Sequence, residues 1–373
     1  MKYVDEYRDG ARARDLAATI AAEVHPDRDY AFMEFCGGHT HAISRYGIED
    51  LLPSTLRLIH GPGCPVCVLP IGRIDDAIRL AADPAVTLCT YADLMRVPAS
   101  HGGSLLKARA AAADIRMIYS SLDAVRIAEA EPARQVVFFA IGFETTTPPT
   151  AIALRLAQTK GLTNFSIFCN HVLTPVAMRA ILNDPAPIAI DGFVGPAHVS
   201  TVIGTEPYRE FAETYLKPVV IAGFEPLDVM QAILMLVRQV NQQRCEVENQ
   251  YIRAVTTAGN VKAQALCAEI FEIRDSFEWR GLGVVPASAL KLRDAYASFD
   301  AEARFAIRTI HAADNPACEC PAILRGRKKP ADCKLFGTVC TPETPIGACM
   351  VSSEGACAAH WTYGRFRERR TAA

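Results

Sequence analysis

From about residue 55 to residue 260, short apolar runs alternate with amphipathic stretches of helical length. That alternation reads as strand, loop, helix, strand, and it leads to a parallel sheet with helices on its faces. The runs that read as strands are Leu56 to His60, Val86 to Thr90, Ile115 to Tyr119, Val136 to Ile141, Phe165 to Cys169, Asp191 to Val194 and Pro218 to Ala222. Several of them end in polar, Gly-rich or Pro-rich turns. Ligands of open α/β sheets bind beyond the carboxyl ends of strands, so the residues after these runs take priority as site candidates. Two of the turns echo each other, Ala140-Ile-Gly-Phe-Glu144 and Ile221-Ala-Gly-Phe-Glu225, which admits a duplicated α/β half. Asp228 to Gln243 reads as a strong helix, and beyond about residue 250 the alternation fades into mixed helix and then a tail rich in Cys, Pro and Gly.

At 373 residues, half of them apolar, the chain can bury a sizeable core and divide into two or three domains. Lys and Arg number 39 against 41 Asp and Glu, so no basic field draws the chain to nucleic acid. Charges at the N-terminus stand where a signal peptide needs an apolar stretch, and no run approaches the ~18 apolar residues of a membrane span, so a cytoplasmic location without a membrane partner is expected. The sequon Asn164-Phe-Ser is then a chance match. In a reducing compartment 13 cysteines, an odd number, point to metal binding and redox chemistry before structural disulfides.

Cysteines concentrate in three places. In Met33-Glu-Phe-Cys36-Gly-Gly-His39-Thr-His41 an apolar run meets two glycines and then a helical pattern from Ala42 to Leu52. Cys36 is therefore expected at a strand-to-helix turn, where N–H dipoles would lower its pKa, with His39 and His41 as metal ligands or hydrogen-bond donors. The bland reading is an ordinary buried cysteine with satisfied histidines. In Ile59-His60-Gly-Pro-Gly-Cys64-Pro-Val-Cys67 a Cys-x-x-Cys pair follows a strand through a Gly-Pro-Gly turn. That spacing suits a reversible disulfide better than half a zinc site, since no second pair follows at finger-like spacing.

The tail carries Cys318, Cys320, Cys333, Cys340, Cys349 and Cys357. A thiolate-rich, histidine-free run suits a [4Fe-4S] cluster, with a zinc ribbon as the competing reading. The expected metal ligands are Cys320, Cys333, Cys340 and Cys357, with Cys318 as substitute and Cys349 as bystander. Cys89, Cys245 and Cys267 read as core cysteines. Glu144, Thr145, Thr146, Asn170, His171 and His198 follow strands and are expected to line a cofactor-binding cleft. Phosphate-binding, dinucleotide and serine-hydrolase motifs are absent from the sequence.

Cys36-Gly-Gly-His-Thr-His41, Gly61-Pro-Gly-Cys-Pro-Val-Cys67, Gly142-Phe-Glu-Thr-Thr146 and Pro345-Ile-Gly-Ala-Cys-Met-Val-Ser-Ser-Glu-Gly-Ala-Cys357 together resemble the HypD family over nearly the full chain. The resemblance implies a maturation factor for [NiFe]-hydrogenase that assembles an Fe(CN)2CO group with the chaperone HypC. It receives cyanide from HypE acting with HypF, and the iron passes on to the hydrogenase large subunit. Cys36 would hold iron, and electrons would come from the cluster through Cys64 and Cys67, making these cysteines with His39 and His41 the catalytic set. A passive scaffold and a stand-alone iron-sulfur thiol-disulfide oxidoreductase are the alternatives. The expected architecture is α/β, with two Rossmann-like parallel-sheet domains forming a cleft, plus a Cys-rich iron-sulfur domain. The segments are 1–50 carrying the first motif, 51–150 and 151–250 as the α/β domains, and 251–373 as the helical and Cys-rich part.

Overall fold

Residues 4–366 are described by a computed structural model of the chain. Nine strands form two parallel sheets: β1 (Tyr30–Glu34), β2 (Leu56–His60), β3 (Val86–Thr90), β4 (Ile115–Met117), β5 (Gln135–Gly142), β6 (Phe165–His171), β7 (Gly192–Pro196), β8 (Val219–Ala222) and β9 (Val247–Asn249). One sheet runs β2-β1-β7-β8-β9 and the other β4-β3-β5-β6, every pairing parallel. The central strands are buried along their length, which explains why they read as continuous apolar runs instead of alternating ones.

The chain leaves the first sheet after β2, builds the whole second sheet, and returns at β7. Strand order therefore reverses between β1 and β7 in one sheet and between β3 and β5 in the other. Such switch points open a crevice at the carboxyl edge, because neighbouring strands send their connections to opposite faces. The seven strands read from sequence are present, with ends moved by at most two residues. β9 has three half-buried residues and no apolar run to announce it.

Beyond β9 the expected mixed helix is interrupted by two antiparallel ribbons, β10 (Phe271–Ile273) with β13 (Leu290–Leu292) and β11 (Ser276–Trp279) with β12 (Gly283–Pro286). Strands this short carry too few residues for a period to show. The Cys-rich tail does not enclose a core of its own. Cys320, Cys340, Cys349 and Cys357 lie in the same buried cluster as Met33, Ile59, Cys64, Cys67, Phe139 and Phe193 from both sheets. Cys89 is buried as expected, whereas Cys245, in the connection before β9, and Cys267 are only half-buried. No helix among the described residues is long and apolar enough to cross a membrane.

Candidate functional site

Cys36 is the N-cap of the helix Gly37–Tyr46, directly after β1. His198 opens the helix Ala197–Ile203 directly after β7. The two residues thus flank the switch point of the five-stranded sheet, and Cys36 Sγ lies 3.7 Å from His198 Nδ1. Glycine is required around them. A Cβ on Gly38 would stand 2.7 Å from the Phe224 ring, and one on Gly37 2.3 Å from the Glu354 side chain. At Gly63 the obstacle is backbone, because its Cβ would fall 2.5 Å from Cys36 N. Gly37 N–H in turn donates to Gly63 O at 3.0 Å, so the backbone of the second cysteine motif lies against the first.

The fully buried Glu34 organises the turn. It accepts the Cys36 N–H at 2.9 Å, His60 Nδ1 at 2.8 Å and the Thr40 hydroxyl. A buried carboxylate needs such partners. Burial pulls the His60 pKa down, but the hydrogen bond and charge of Glu34 outweigh it and leave the imidazole more basic than usual. Glu34 and His60 had been assigned no role from sequence, although they flank the two motifs. A carboxylate within an apolar run was the available signal.

The Cys36 thiol corrects one expectation. Burial, followed by repulsion from Glu354, pushes its pKa up, and the N–H groups of Gly38 and His39 offset this only in part. The helix end stabilises the anion as anticipated, but loss of water from the site is the larger effect. A free Cys36 is therefore a protonated thiol awaiting a cation or base.

The two motif histidines have other immediate partners. His39 is fully buried, and its Nε2–H donates to the carbonyls of Ala222 at 2.9 Å and Gly223 at 3.1 Å. Its Nδ1 is buried without a hydrogen-bond partner among the described residues. His41 meets Tyr363 edge-to-face, with ring centroids 5.2 Å apart. His198 stacks on Phe224 at 3.9 Å, and desolvation on that side, then repulsion from His39, keeps it less basic than an ordinary imidazole. Gly38, His41, His198, Phe224, Glu225 and Glu354 line a cavity of about 360 Å³ over this edge.

The other cleft residues fall on the second sheet's edge and are occupied by their own chain. Glu144 accepts the backbone N–H and hydroxyl of Thr174, each at 2.9 Å, and burial holds its pKa up at about 7. Thr146 donates to the carbonyls of Ile141 and Phe143, and His171 Nε2 pairs with the Thr150 hydroxyl at 2.9 Å. Thr145 is half-buried beside them. Asn170 accepts from Arg73 in a buried polar network.

Cys64 and Cys67 are joined by a disulfide, with Cys64 capping the short helix Pro65–Val68. A Cβ on Gly355 would stand 3.0 Å from Cys67 Sγ, so the disulfide touches the turn that joins Cys349 to Cys357. In the tail, Cys318, Cys349 and Cys357 are the thiols that act on Cys320 most strongly. A Cβ on Gly347 would lie 2.4 Å from Cys320 Sγ and 2.5 Å from Cys318 Sγ. The bystander Cys349 is thus inside the thiol group. Cys340 stands at its border, close enough for its charge to act on Cys357, and half-buried Cys333 is not among the thiols that act on Cys320 most strongly. No set of three or more His, Cys, Asp or Glu among the described residues is pre-arranged around a metal ion. In number and chemistry, four converging sulfurs beside a residue that must be glycine fit the four thiolates of a [4Fe-4S] cluster.

Comparison with known proteins places the chain. A profile of HypD, described as the "Hydrogenase formation hypA family", matches residues 11–364. The chain is 72% identical over 374 residues to the hydrogenase maturation factor HypD of Rhizobium leguminosarum bv. viciae, covering 99% of this chain and 97% of that one. It is 65% identical to HypD of Azotobacter vinelandii over 372 residues, 99% and 98% of the two chains. To HypD of Escherichia coli (strain K12) it is 46% identical over 368 residues, 97% and 98%. Together with the collinear cysteine motifs, these matches establish that the chain belongs to the HypD family of hydrogenase maturation factors.

Proposed function

We propose that this protein is the scaffold on which the Fe(CN)2CO group of [NiFe]-hydrogenase is assembled in the cytoplasm, together with a HypC partner. Cyanide would come from HypE acting with HypF, and the hydrogenase large subunit would receive the iron indirectly. The observation that carries this reading is the convergence of the three cysteine motifs. Gly63 packs on the Cys36 backbone, and Gly355 packs on Cys67 Sγ and the Cys349 backbone, so the three motifs meet one another, and Gly38 and His198 beside Cys36 line the cavity.

Iron is the cargo, and each residue has a role in holding it. Cys36 supplies a soft thiolate suited to low-spin iron that carries cyanide and carbon monoxide. Iron binding displaces the thiol proton, and His198 Nδ1, 3.7 Å away, is placed to accept it. The N–H of Gly38, directed at the Cys36 sulfur, is the backbone donor on the side where the anionic cyanides would sit, and Phe224 backs His198 beside it. Opening the Cys64–Cys67 disulfide takes up two electrons and two protons, and closing it returns them. Cys318, Cys320, Cys349 and Cys357 would hold the resident [4Fe-4S] cluster, which when bound supplies electrons singly.

A stand-alone thiol-disulfide oxidoreductase is less well supported. Cys67 has 0% exposure and Cys64 4%, which closes the pair to protein substrates. Anaerobic purification with and without HypC, read by iron and acid-labile sulfide analysis and infrared spectroscopy, tests the proposal. Cyanide and carbonyl bands confined to the complex support it, and turnover of generic disulfides without HypC overturns it. Sulfide content falls in Cys349→Ala and persists in Cys333→Ala; the reverse pattern restores the ligand set expected from sequence.

A further inference from the structure

Arg280 sits in the hairpin turn between β11 and β12, on the tail side of the disulfide. It is 3% exposed, and its backbone N–H donates to Val68 O at 2.7 Å, beside the Cys64–Cys67 helix. Its guanidinium is poorly satisfied. Nη2 reaches Pro98 O at 3.3 Å, and Nε lies 3.0 Å from an Asp314 oxygen without hydrogen-bond alignment. Nε and Nη1 have no hydrogen-bond partner among the described residues. The next residue, Gly281 (φ +85°), packs on Leu324 and Pro321 of the helix that begins at Cys320, so the turn is pressed against the thiol group.

A buried guanidinium with idle donors is destabilising unless an opposite charge offsets it. Asp314 is a partial offset because it reaches solvent, its side chain being 28% exposed. The Cα of Pro321, directly after Cys320, would lie 3.2 Å from a Cβ on Gly281, so the turn that carries Arg280 borders the tail thiols. We infer that Arg280 is a positioning residue for the tail site, the fixed counter-charge of its thiolates and of the anionic cluster they hold. The inference rests on the cluster reading above. A fixed cation favours the more negative, reduced state of such a centre, so Arg280 raises its reduction potential and stabilises the loaded form relative to the empty one.

The test uses the full chain, purified anaerobically as wild type, Arg280→Gln and Arg280→Lys. Redox titration of the loaded protein should show the glutamine variant about tenfold harder to reduce, about 59 mV for one electron, with lysine restoring most of the shift. A second readout is thermal unfolding of the metal-free chain. There the glutamine variant should be at least as stable as wild type, because an uncompensated buried charge has been removed. An arginine serving only the fold would give the opposite sign. Should the glutamine variant fail to load, loading of the lysine variant at near wild-type potential supports the charge role, and failure of both with a destabilised metal-free chain overturns it. Wild-type sulfide with an unshifted potential in Arg280→Gln overturns this inference alone; wild-type protein without sulfide overturns the cluster reading and this inference with it.

Discussion

The two sheets present the same kind of edge and use it in opposite ways. Each has a switch point, and the echoed Gly-Phe-Glu turn closes a strand in both, at Glu144 after β5 and at Glu225 after β8. On the second sheet most polar groups are consumed locally: Glu144 by Thr174, Thr146 by two carbonyls, and His171 Nε2 by Thr150, with His171 Nδ1 buried without a hydrogen-bond partner among the described residues. On the first sheet Gly38 and His198 border a cavity, and Cys36 lies beside them with its thiol 3.7 Å from His198. The lesson is that a strand-end motif marks a possible site, and the hydrogen-bond account of its neighbours decides whether it is one.

This contrast can be broken most directly at Cys36. Cys36→Ala should reduce hydrogenase maturation by on the order of 100-fold or more while leaving the chain folded, since a small buried thiol is replaced by a small apolar group. Hydrogenase activity in a complemented strain, with circular dichroism as the folding control, reads this. An equal loss in Glu144→Gln would erase the difference between the edges.

The second sheet should reveal itself in stability instead. Burial lifts the folded-state pKa of Glu144 from 4.5 to about 7, so folding favours its protonated form. Its contribution is full below about pH 4.5 and is lost as pH rises through 7, by up to on the order of 3 kcal/mol. Denaturant melts at pH 5 and pH 8 should show a smaller fall for Glu144→Gln than for wild type. Equal falls would mean that Glu144 is not the titrating group.

Gly63→Ala joins the two properties on the first sheet. Forcing a methyl group against Cys36 backbone should cost about 1–3 kcal/mol and displace the thiol from His198. Retained stability and maturation would show that the two motifs are not in the contact described. The smallest expected change in stability is that of His198→Ala, under about 0.5 kcal/mol because the ring is exposed, accompanied by several-fold slower maturation. A drop in stability without a drop in rate would place His198 with the structural histidines.

Much of this was legible in the chain. Apolar runs located the strands because buried parallel strands need apolar side chains on both faces, and Cys36 and the Cys64/Cys67 pair were found at strand ends because glycine and proline mark those turns. His39 and His41 looked like partners of Cys36 through adjacency; in the fold the His39 ring bonds to Ala222, while His41 packs on Tyr363 and lines the cavity with His198. His198, 162 residues away, supplies the imidazole instead. Among the tail cysteines spacing could not choose, and Cys333 was expected as a ligand with Cys349 as bystander; the fold buries Cys349 and leaves Cys333 half-buried, because a turn rich in glycine places residues without regard to their separation.

The sequence alone therefore determined the α/β class, the location of the reactive thiols and the family, since each is written in local pattern and residue chemistry. Only the tertiary structure decided that β1 and β2 join β7 to β9 across an intervening sheet, that Cys36 faces His198, and that burial overrides the helix dipole at the thiol. Those outcomes depend on contacts between residues far apart in the chain and on the water they exclude, and neither is encoded in any single segment.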